Sequence, residues 1–444
     1  MNKYCTTFQF DNMNLIDDFI SSKSNTFFNY KDLKNLLSTE NVSFVLSGIN
    51  RLQSMLLCEE GFSYVQQSQR YVPMDFNFIR FIDNTPIELK VEGARLVNKS
   101  MDLYKEMTQL KDENKKGRPA IDDFIHSIPY EDARSILPIN ISTNIVVSNS
   151  ADRLIDLFAL FNKYPLVFES LRNEFEQLIP FKLYHALQMA AHNIIDNDTG
   201  ISDNYFKNKY KLVSLNNPVI LLNSTNNVAM AALASQSKES PDTVYNSWGS
   251  ETEYNDIKIC KNVLGYGHHG INEHSRNTFV MTCSLAAYHQ VIRHRLQNNR
   301  REPLKNILIE KNREFVIPES ILMNEYFFNK VNDLIEEYRE FYNKFITKYD
   351  NQFLMQFMLN GHAIKFVACS NIRNDNNICR DRLCYTAQEE IRKLYLKKYK
   401  ILHEMYPHLV KYGLPPCVTT KKCKEGKLTC GHMNEVYEEY KVFI

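Results

Sequence analysis

An Arg-His-Arg string at residues 293–295, preceded by Gln290, is the segment whose residue types most directly suggest chemistry. The planar guanidinium of arginine binds phosphates and paired carbonyl oxygens through parallel hydrogen bonds. The surrounding pattern predicts a helix, which would place Gln290 and Arg293 on one face and aim Arg295 in another direction. Two arginines so arranged could hold two different ligands. By itself, however, such a string is typical of a solvent-exposed helix face.

Two further polar motifs flank this string. Residues 267–274 read Gly-His-His-Gly-Ile-Asn-Glu-His. Downstream, four polar residues precede an Ala-Gln pair at 387–388; they are Asn371, Arg373, Asn377 and Arg382. Arg373 and Asn377 are four residues apart and would share one face of a helix, which fits a common ligand.

In order and spacing, the three motifs resemble those of the flavin-dependent thymidylate synthases. The motifs of that family read Gly-His-x-x-x-x-Glu-His, then Gln-x-x-Arg-His-Arg, then Asn-x-Arg-x-x-x-Asn-x-x-x-x-Arg-x-x-x-x-Ala-Gln. All three spacings are met in this chain without a gap.

The sequence departs from the family after Arg295, where it continues as LQNNRREPL. Family members have there a segment like Ser-x-x-Gln-x-Ser-x-Arg-Tyr, which grips the nucleotide. A matching segment occurs much earlier, as SYVQQSQRY at 63–71, and the Arg-His-Arg position before it is taken by Cys58-Glu59-Glu60. The missing element is therefore present in a different part of the chain.

The same exchange recurs in a second pair of segments. The family has an Ala-Arg-x-x-Leu-Pro segment whose arginine meets the nucleotide phosphate, and residues 133–138 supply it with Arg134. Farther along, the Asn-x-Arg positions have become Ser150-Ala151-Asp152. The later counterpart, LMQFMLN, has no arginine but leads into the intact Asn371-Ile372-Arg373. The chain thus resembles two diverged copies that complement one another.

An internal repeat in the order of elements supports this interpretation. Residues 38–57 and 270–292 each combine a short polar segment that contains a glutamate, an alternating apolar strand and a helix-like stretch. Residues 154–179 and 331–349 space apolar residues as helices do, and the polar stretch 194–217 is interpreted as a linker. We expect an α+β fold with a first repeat at 1–205, a second repeat at 206–444 and a cysteine-rich tail from about 413. The resemblance implies two units, each an antiparallel sheet with packed helices, that form a pseudo-dimer.

The resemblance also implies roles for individual residues. The first repeat would hold the nucleotide phosphate and the second the pyrimidine and flavin. Arg293 and Arg382 would act on the pyrimidine during catalysis. The residues implied to bind substrate are Gln66, Gln67, Ser68, Gln69, Arg70, Arg134, Gln290, Arg293 and Arg382. The residues implied to bind the flavin are Ser235, His268, Arg293, His294, Arg295, Asn371, Arg373 and Asn377. Gly270 stands where the family often has a hydroxyl residue.

The implied reaction is the reductive methylation of dUMP to dTMP, with FAD as cofactor and methylenetetrahydrofolate and NADPH as co-substrates. One alternative is methylation of another pyrimidine nucleotide, such as UMP, or use of another carbon donor. A second is a nucleotide-binding scaffold without turnover. Because family members work as tetramers and each chain here supplies two units, we expect a homodimer.

The tail contains a separate group of potential metal ligands, Cys417, Cys423, Cys430 and His432. Thiolate and imidazole groups suit a tetrahedral structural zinc, and Cys379 or Cys384 could replace one of them. The spacings match no standard zinc motif, so unconnected thiols remain the alternative.

Composition limits the remaining functional classes. The 444 residues predict more than one domain. With 53 basic and 52 acidic residues, the chain has no charge excess that would suggest a nucleic acid or membrane-surface partner. Neither a membrane-spanning apolar run nor a secretory signal is present in the sequence, so we expect a cytoplasmic protein whose 10 cysteines are thiols or metal ligands.

Overall fold

Two four-stranded antiparallel sheets with the same strand order form the centre of the molecule. The computed structural model describes residues 3–23, 29–70, 72–108, 128–196, 201–426 and 429–444. The first sheet has the order β1-β2-β4-β3, with β1 Cys5–Phe10, β2 Asn41–Asn50, β3 Ser63–Gln66 and β4 Ser142–Ser150. The second has the order β5-β6-β8-β7, with β5 Val219–Asn226, β6 Ser275–Ser284, β7 Asn298–Arg301 and β8 Ala363–Ser370. The predicted combination of antiparallel sheets and helices in two similar units is confirmed.

Helices surround both sheets. In the first repeat and at its end these are α1 Met13–Ser22, α2 Tyr30–Leu37, α3 Arg51–Glu59, α4 Ile87–Thr108, α5 Tyr130–Ala133, α6 Arg153–Lys163, α7 Pro165–Leu178, α8 Phe181–Asp196 and α9 Ile201–Tyr210. In the second repeat they are α10 Val228–Gln236, α11 Pro241–Ser247, α12 Thr252–Gly265, α13 Leu285–Val291, α14 Lys305–Ile309, α15 Glu319–Leu322, α16 Glu325–Phe345, α17 Asn351–Met355, α18 Ile372–Arg382, α19 Glu389–Met405, α20 Pro407–Val410, α21 Pro416–Thr419 and α22 Met433–Tyr440. Among the described residues, none of these helices is long and apolar enough to span a bilayer.

Each central strand passes directly into a helix through a polar capping residue. Asn50 ends β2, and its side chain accepts a hydrogen bond from the backbone N–H of Gln53 at 2.9 Å. Ser284 ends β6 and accepts from the backbone N–H of Ala287 at 3.0 Å. Such caps satisfy N–H groups that the first helical turn leaves unpaired. They fix where α3 and α13 begin, as the repeated strand-helix pattern predicted.

The two repeats are joined by main-chain hydrogen bonds between equivalent segments. Pro138 and Leu359 form an antiparallel bridge, and each lies four residues before the strand that follows it, β4 or β8. The backbone N–H of Ile139 donates to the carbonyl of Met358 at 2.8 Å. The N–H of Gly361 donates to the carbonyl of Ser135 at 2.7 Å. One continuous hydrophobic core extends through both repeats.

Helices α4 and α16 also connect the repeats, and they run antiparallel. The hydroxyl groups of Ser100 and Tyr338 lie 3.0 Å apart in the buried part of this contact. Gly93 allows the ring of Phe357 to pack closely, since a Cβ at this glycine would lie 2.2 Å from the Cε1 atom of the ring. Four ion pairs flank the contact between α4 and α16: Glu88–Lys348, Glu92–Lys344, Glu337–Lys99 and Glu106–Lys330. These exposed pairs favour one relative placement of the helices more than they add stability.

Three local predictions require correction. The stretch 154–179 is two helices, because Pro165 disfavours helical geometry at the preceding residue, Tyr164, where the helix turns. The stretch 194–217 is not simply a polar linker, since it contains the end of α8 and all of α9, which packs against β6 and β8. The boundary predicted between residues 205 and 206 falls within α9 and stays a prediction.

The third correction concerns the Arg-His-Arg string. Helix α13 ends at Val291, so Arg293 lies in the turn that follows and does not share a helix face with Gln290. Counted from the equivalent hydrogen bonds that Arg51 N–H and Leu285 N–H make at the starts of α3 and α13, Arg293 corresponds to Glu59. Counted back from β3 and β7, where Ser63 and Asn298 pair with equivalent residues of β4 and β8, it corresponds to Cys58, as the motifs indicate. The alignment of Arg293 with Cys58 therefore stays a prediction.

Candidate active site

Five arginines from both repeats converge where α3, α13 and α18 approach one another. They are Arg51 at the start of α3, Arg70 after β3, Arg134 after α5, Arg293 after α13 and Arg382 at the end of α18. Burial, followed by the charges of Arg134 and Arg293, lowers the pKa of Arg51 to about 9. Burial, followed by Arg70, lowers the pKa of Arg134 to about 10. Burial lowers the pKa of Arg382, and Arg293 and Arg70 contribute. Each of the five cations therefore lies close enough to at least one other to act on it.

The first repeat positions two of these arginines against the second. Arg70 Nε donates to the Glu131 carboxylate at 2.6 Å, and its Nη2 donates to the carbonyl of Thr386 at 3.0 Å. The hydroxyl of Ser68 accepts from the backbone N–H of Arg70 at 3.2 Å, which fixes the loop. Arg134 Nη2 donates to the Gln388 side chain at 2.7 Å. Both guanidiniums therefore contact the segment that carries the Ala-Gln motif.

The second repeat holds Arg382 and Gln290 around the same point. The Gln290 side-chain amide donates to Gln388 Oε1, which also accepts from Arg134. Arg382 Nε donates to His294 Nε2 at 2.8 Å, and its Nη2 donates to the carbonyl of Gln290 at 3.3 Å. Burial, followed by Arg382, lowers the pKa of His294 to about 3. His294 is thus a neutral acceptor that orients Arg382.

Within the described parts of the chain, fewer carboxylates than guanidiniums act on this cluster. Three acidic side chains affect Arg134 or Arg382: Glu131, Glu390 and Asp381. Glu390 accepts from the backbone and the hydroxyl of Ser284, and Asp381 pairs with Lys424. Among the described residues Arg51 and Arg293 have no carboxylate partner. Of the five arginines, Arg51 and Arg134 are buried, Arg70 and Arg382 are partly buried and Arg293 is exposed. A buried cation without a carboxylate partner, as at Arg51, is unfavourable unless an anion accompanies it.

Buried polar atoms without hydrogen-bond partners among the described residues surround the cluster. They are Arg51 Nε, Gln66 Oε1, both side-chain polar atoms of Gln69, Ser135 Oγ, His289 Nε2 and Gln290 Oε1. Buried polar atoms are normally paired, so this concentration of free donors and acceptors indicates a place for a polar ligand. The unbalanced guanidiniums and these atoms together fit an anionic, hydrogen-bonding molecule.

The predicted substrate residues of the first repeat occupy one edge of this site. The Gln66 side-chain amide donates to Ser54 Oγ at 2.7 Å, and the Gln67 side chain accepts from Asn144 at 3.4 Å. Gln69 is almost completely buried, with 2% of its surface exposed. These contacts hold the loop before Arg70 against the first sheet.

An adjoining cleft of about 400 Å³ contains several of the predicted flavin residues. It is lined by His294, Arg295, Leu296, Gln297, Asn374, Asn377 and Ile378. Arg295 Nη1 donates to Ser63 Oγ at 2.8 Å, so the first repeat borders this cleft. Helix α18 is confirmed, and Arg382 at its end lies about 14 Å along the helix axis from Arg373 near its start.

The remaining predicted flavin residues lie around the 3₁₀ segment His269–His274. Ser235 is exposed at the end of α10, and its hydroxyl donates to the carbonyl of Ala232 at 2.8 Å. His268 is exposed just before the segment, and Arg373 forms an ion pair with Glu273. Asn371 caps α18 by accepting from the N–H of Asn374 at 2.9 Å. All three of these contacts, made by Ser235, Arg373 and Asn371, lie within the second repeat.

Two residues of the cluster were not predicted from the sequence. Arg51 begins α3, and its Nη2 lies 3.0 Å from Nδ1 of His289 on α13. Both side chains are buried, with 3% of each residue exposed. The available indication was weak: an arginine at the start of an otherwise apolar helix-like run.

The tail cysteines lie near one another and near α18. Burial raises the pKa of Cys417 to about 11, and the thiols of Cys384, Cys423 and Cys430 contribute. The backbone N–H of His432 donates to the Cys430 sulfur at 3.4 Å. Cys379 is buried within α18. A zinc at the tail stays a prediction.

Comparison with known proteins agrees with this arrangement. The model of the thymidylate synthase complementing protein family matches residues 35–167 and 220–408. A flavin-dependent thymidylate synthase of Pyrococcus furiosus is 30% identical over 204 residues, which cover 41% of this chain and 81% of the relative. Proteins with the same name from Thermococcus onnurineus and Clostridium tetani are 32% and 24% identical, covering 37% and 41% of this chain and 71% and 80% of the relatives. The two matched regions fit a tandem duplication.

Proposed function

Since this chain belongs to the thymidylate synthase complementing protein family, we propose that it methylates dUMP to dTMP in an FAD-dependent reaction that uses methylenetetrahydrofolate and NADPH. It is an enzyme of the flavin-dependent thymidylate synthase type. The observation that carries the substrate proposal is the cluster of five arginines from both repeats, with unpaired polar atoms around it.

The first repeat supplies the phosphate-binding side of the proposed site. Ser68, Arg70 and Arg134 hold the nucleotide phosphate, and Arg51 adds a buried cation without a carboxylate partner. A dianionic phosphate offsets the charge excess of the cluster. Binding energy at the phosphate then fixes the position of the pyrimidine ring.

The second repeat supplies the pyrimidine-binding side. Arg382 and Arg293 donate to the pyrimidine oxygens and favour negative charge as it develops on the ring. His294 remains neutral and keeps Arg382 oriented, while Gln290 presents a free side-chain oxygen that can accept from the single ring N–H of the pyrimidine. Gln388 contacts both Arg134 and Gln290, so it couples the two sides.

The cleft beside His294, Arg295 and Asn377 is the proposed place of the flavin. When bound, the flavin supplies the hydride that completes the methyl group. Arg295 and Asn377 provide donors at the cleft wall. Ser235, His268, Asn371 and Arg373 extend the proposed cofactor site toward the segment His269–His274.

The same geometry allows a related alternative, methylation of a ribonucleotide such as UMP or use of another carbon donor. A nucleotide-binding scaffold without turnover is the second alternative. The intact cluster favours an enzyme, because two repeats that had lost function would not be expected to preserve complementary halves of one site.

The contacts between equivalent segments support the predicted pseudo-dimer of repeats. We propose that two chains form a homodimer with two composite sites. A mass of one chain in solution, or four flavins bound per dimer, would contradict this arrangement. The ten free thiols fit a reducing compartment, and we place the enzyme in the cytoplasm.

The proposal can be tested with the purified full chain. We expect a yellow protein that releases the C5 hydrogen of dUMP in the presence of reductant and methylenetetrahydrofolate. Arg70→Ala and Arg382→Ala should each abolish release, whereas Arg95→Ala, at an exposed ion pair with Glu337, should not. A protein that binds no added flavin would support the scaffold, and turnover of UMP but not dUMP would support the ribonucleotide alternative.

A further inference from the structure

Three side chains with metal-binding chemistry meet between α12 and α20, in a group that shares no residue with the proposed active site. Asp256 and Cys260 are one helical turn apart on α12, and His408 is the second residue of α20. One ligand atom from each of the three side chains lies within 4.8 Å of the other two. Among the described parts of the chain, this is the one group of three or more His, Cys, Asp or Glu side chains with that property.

The histidine of this group is buried and lacks hydrogen-bond partners. The side chain of His408 is 10% exposed and that of Asp256 is 21% exposed, while Cys260 is fully buried. Neither ring nitrogen of His408 is accessible or hydrogen-bonded within the described residues. Its Nε2 lies 4.0 Å from the Asp256 carboxylate, too far for a hydrogen bond. A buried imidazole in this position requires another partner.

The chemical types of the three side chains indicate which partner the site binds. Thiolate and imidazole together suit zinc, whereas magnesium and calcium prefer sites made of oxygen ligands. A zinc ion with one thiolate, one carboxylate and one neutral imidazole forms a complex without net charge, which can be buried at low cost. Lys261 and Lys411 act electrostatically on His408, and the two anionic ligands offset their repulsion of a cation.

We propose that Asp256, Cys260 and His408 bind a zinc ion. Three protein ligands leave a fourth tetrahedral position for water. Tyr245 of α11 lies near enough to interact electrostatically with Asp256 and Cys260.

The position of the group gives the zinc a structural role. Helix α12 leads into His268 and the segment His269–His274. Helix α20 leads to Tyr412, whose ring packs edge-on against His269 with centroids 5.0 Å apart. A metal that joins α12 to α20 therefore holds together the two helices that support the segment His269–His274.

The test uses the full chain stripped of metal with a chelator. Cobalt added to the unchanged chain should produce a near-ultraviolet thiolate-to-cobalt charge-transfer band. Equimolar zinc should then displace the cobalt, so that the band disappears. Zinc should also raise the melting temperature of the stripped protein. A chain that gives no such band, or whose band zinc does not remove, would overturn the proposal without any variant being made.

Variants then distinguish this site from the tail. Cys260→Ser should remove one equivalent of the cobalt band, and Asp256→Asn and His408→Gln should each weaken zinc binding at least tenfold. The control variant Cys417→Ser/Cys430→Ser, in the tail, should retain the one equivalent of cobalt band that Cys260→Ser removes. A band that persists in full in Cys260→Ser and disappears in the tail variant would assign the metal to the tail and refute the site on α12.

Discussion

Arg134, in the first repeat, donates a 2.7 Å hydrogen bond to Gln388, in the second repeat, and Gln388 also accepts from Gln290. One side-chain oxygen thus joins the proposed phosphate-binding and pyrimidine-binding sides of the site. The halves that the two sequence copies have each retained are in direct contact within one chain.

This contact predicts the result of mixing inactive variants. Arg70→Ala and Arg382→Ala proteins, mixed and refolded together, should recover no activity, because each site takes both arginines from the same chain. Tritium release from labelled dUMP measures the outcome. Recovery of about a quarter or more of the normal activity would instead place the site between chains.

Arg51 should matter for nucleotide binding more than for stability. Arg51→Gln removes a buried cation that has no carboxylate partner, so the melting temperature should change little. The loss of a charge-assisted contact should weaken dUMP binding by about 10- to 100-fold in calorimetric titration. The control Arg80→Gln, an exposed arginine bonded only to nearby backbone carbonyls, should bind normally. Unaltered affinity in Arg51→Gln would exclude Arg51 from the site.

The ion pair between Glu59 and Arg301 should stabilise the junction of the repeats. Arg301 donates to both oxygens of Glu59, at 2.6 and 2.9 Å, and both side chains are largely buried. Glu59→Gln or Arg301→Met should each lower the free energy of unfolding by about 3–5 kcal/mol, since each leaves one partner uncompensated. The double variant Glu59→Leu/Arg301→Met should lose clearly less free energy of unfolding than the sum of the two single-variant losses. Additive losses in urea unfolding would show that the two residues act independently.

Buried neutral histidines should make the fold sensitive to mild acid. Burial lowers the pKa of His362 from 6.5 to about 3 and that of His294 to about 3. As the pH falls below 6.5 the unfolded chain therefore takes up protons that the folded chain does not. Each such histidine should reduce the free energy of unfolding by about 1.4 kcal/mol per pH unit until its folded-state pKa is approached.

Urea unfolding at decreasing pH measures this dependence. His362→Gln should make the dependence of the free energy of unfolding on pH shallower by about one proton. An identical slope in His362→Gln would mean that His362 is protonated in the folded state.

Gly93 should be intolerant of a methyl group even though it lies inside α4. Alanine normally favours a helix over glycine by about 1 kcal/mol. Here the added Cβ would lie 2.2 Å from the fully buried Phe357, so overpacking should dominate and destabilise by about 1–3 kcal/mol. Gly93→Ala/Phe357→Leu should recover part of the loss in thermal unfolding. A more stable Gly93→Ala would show that α4 and α16 separate readily.

The extent to which sequence predicted this site depends on the kind of interaction involved. The motif spacings were sufficient to identify Arg70, Arg134 and Arg382 as candidates, because covalent order preserves them. Arg51 and His289 could not be identified in this way, since their relevance arises only where α3 meets α13.

In the local structure, too, features set by neighbours in the sequence were predictable and features set by distant contacts were not. The strand-helix junctions at Asn50 and Ser284 were predictable, because capping depends on neighbours in the sequence. The end of α13 at Val291 was not, since the turn that follows places Arg293 beside partners from the other repeat. The helix α9 was missed within a polar stretch because it gains stability by packing Tyr210 against the second sheet.

The bridge between Pro138 and Leu359 has a consequence for assembly. If the two diverged repeats were separate polypeptides, like copies could also associate, and such pairs would lack one side of the site. A single chain that carries both repeats excludes these unproductive pairs at synthesis. Each translated molecule contains one copy of each kind, in equal number, independent of protein concentration.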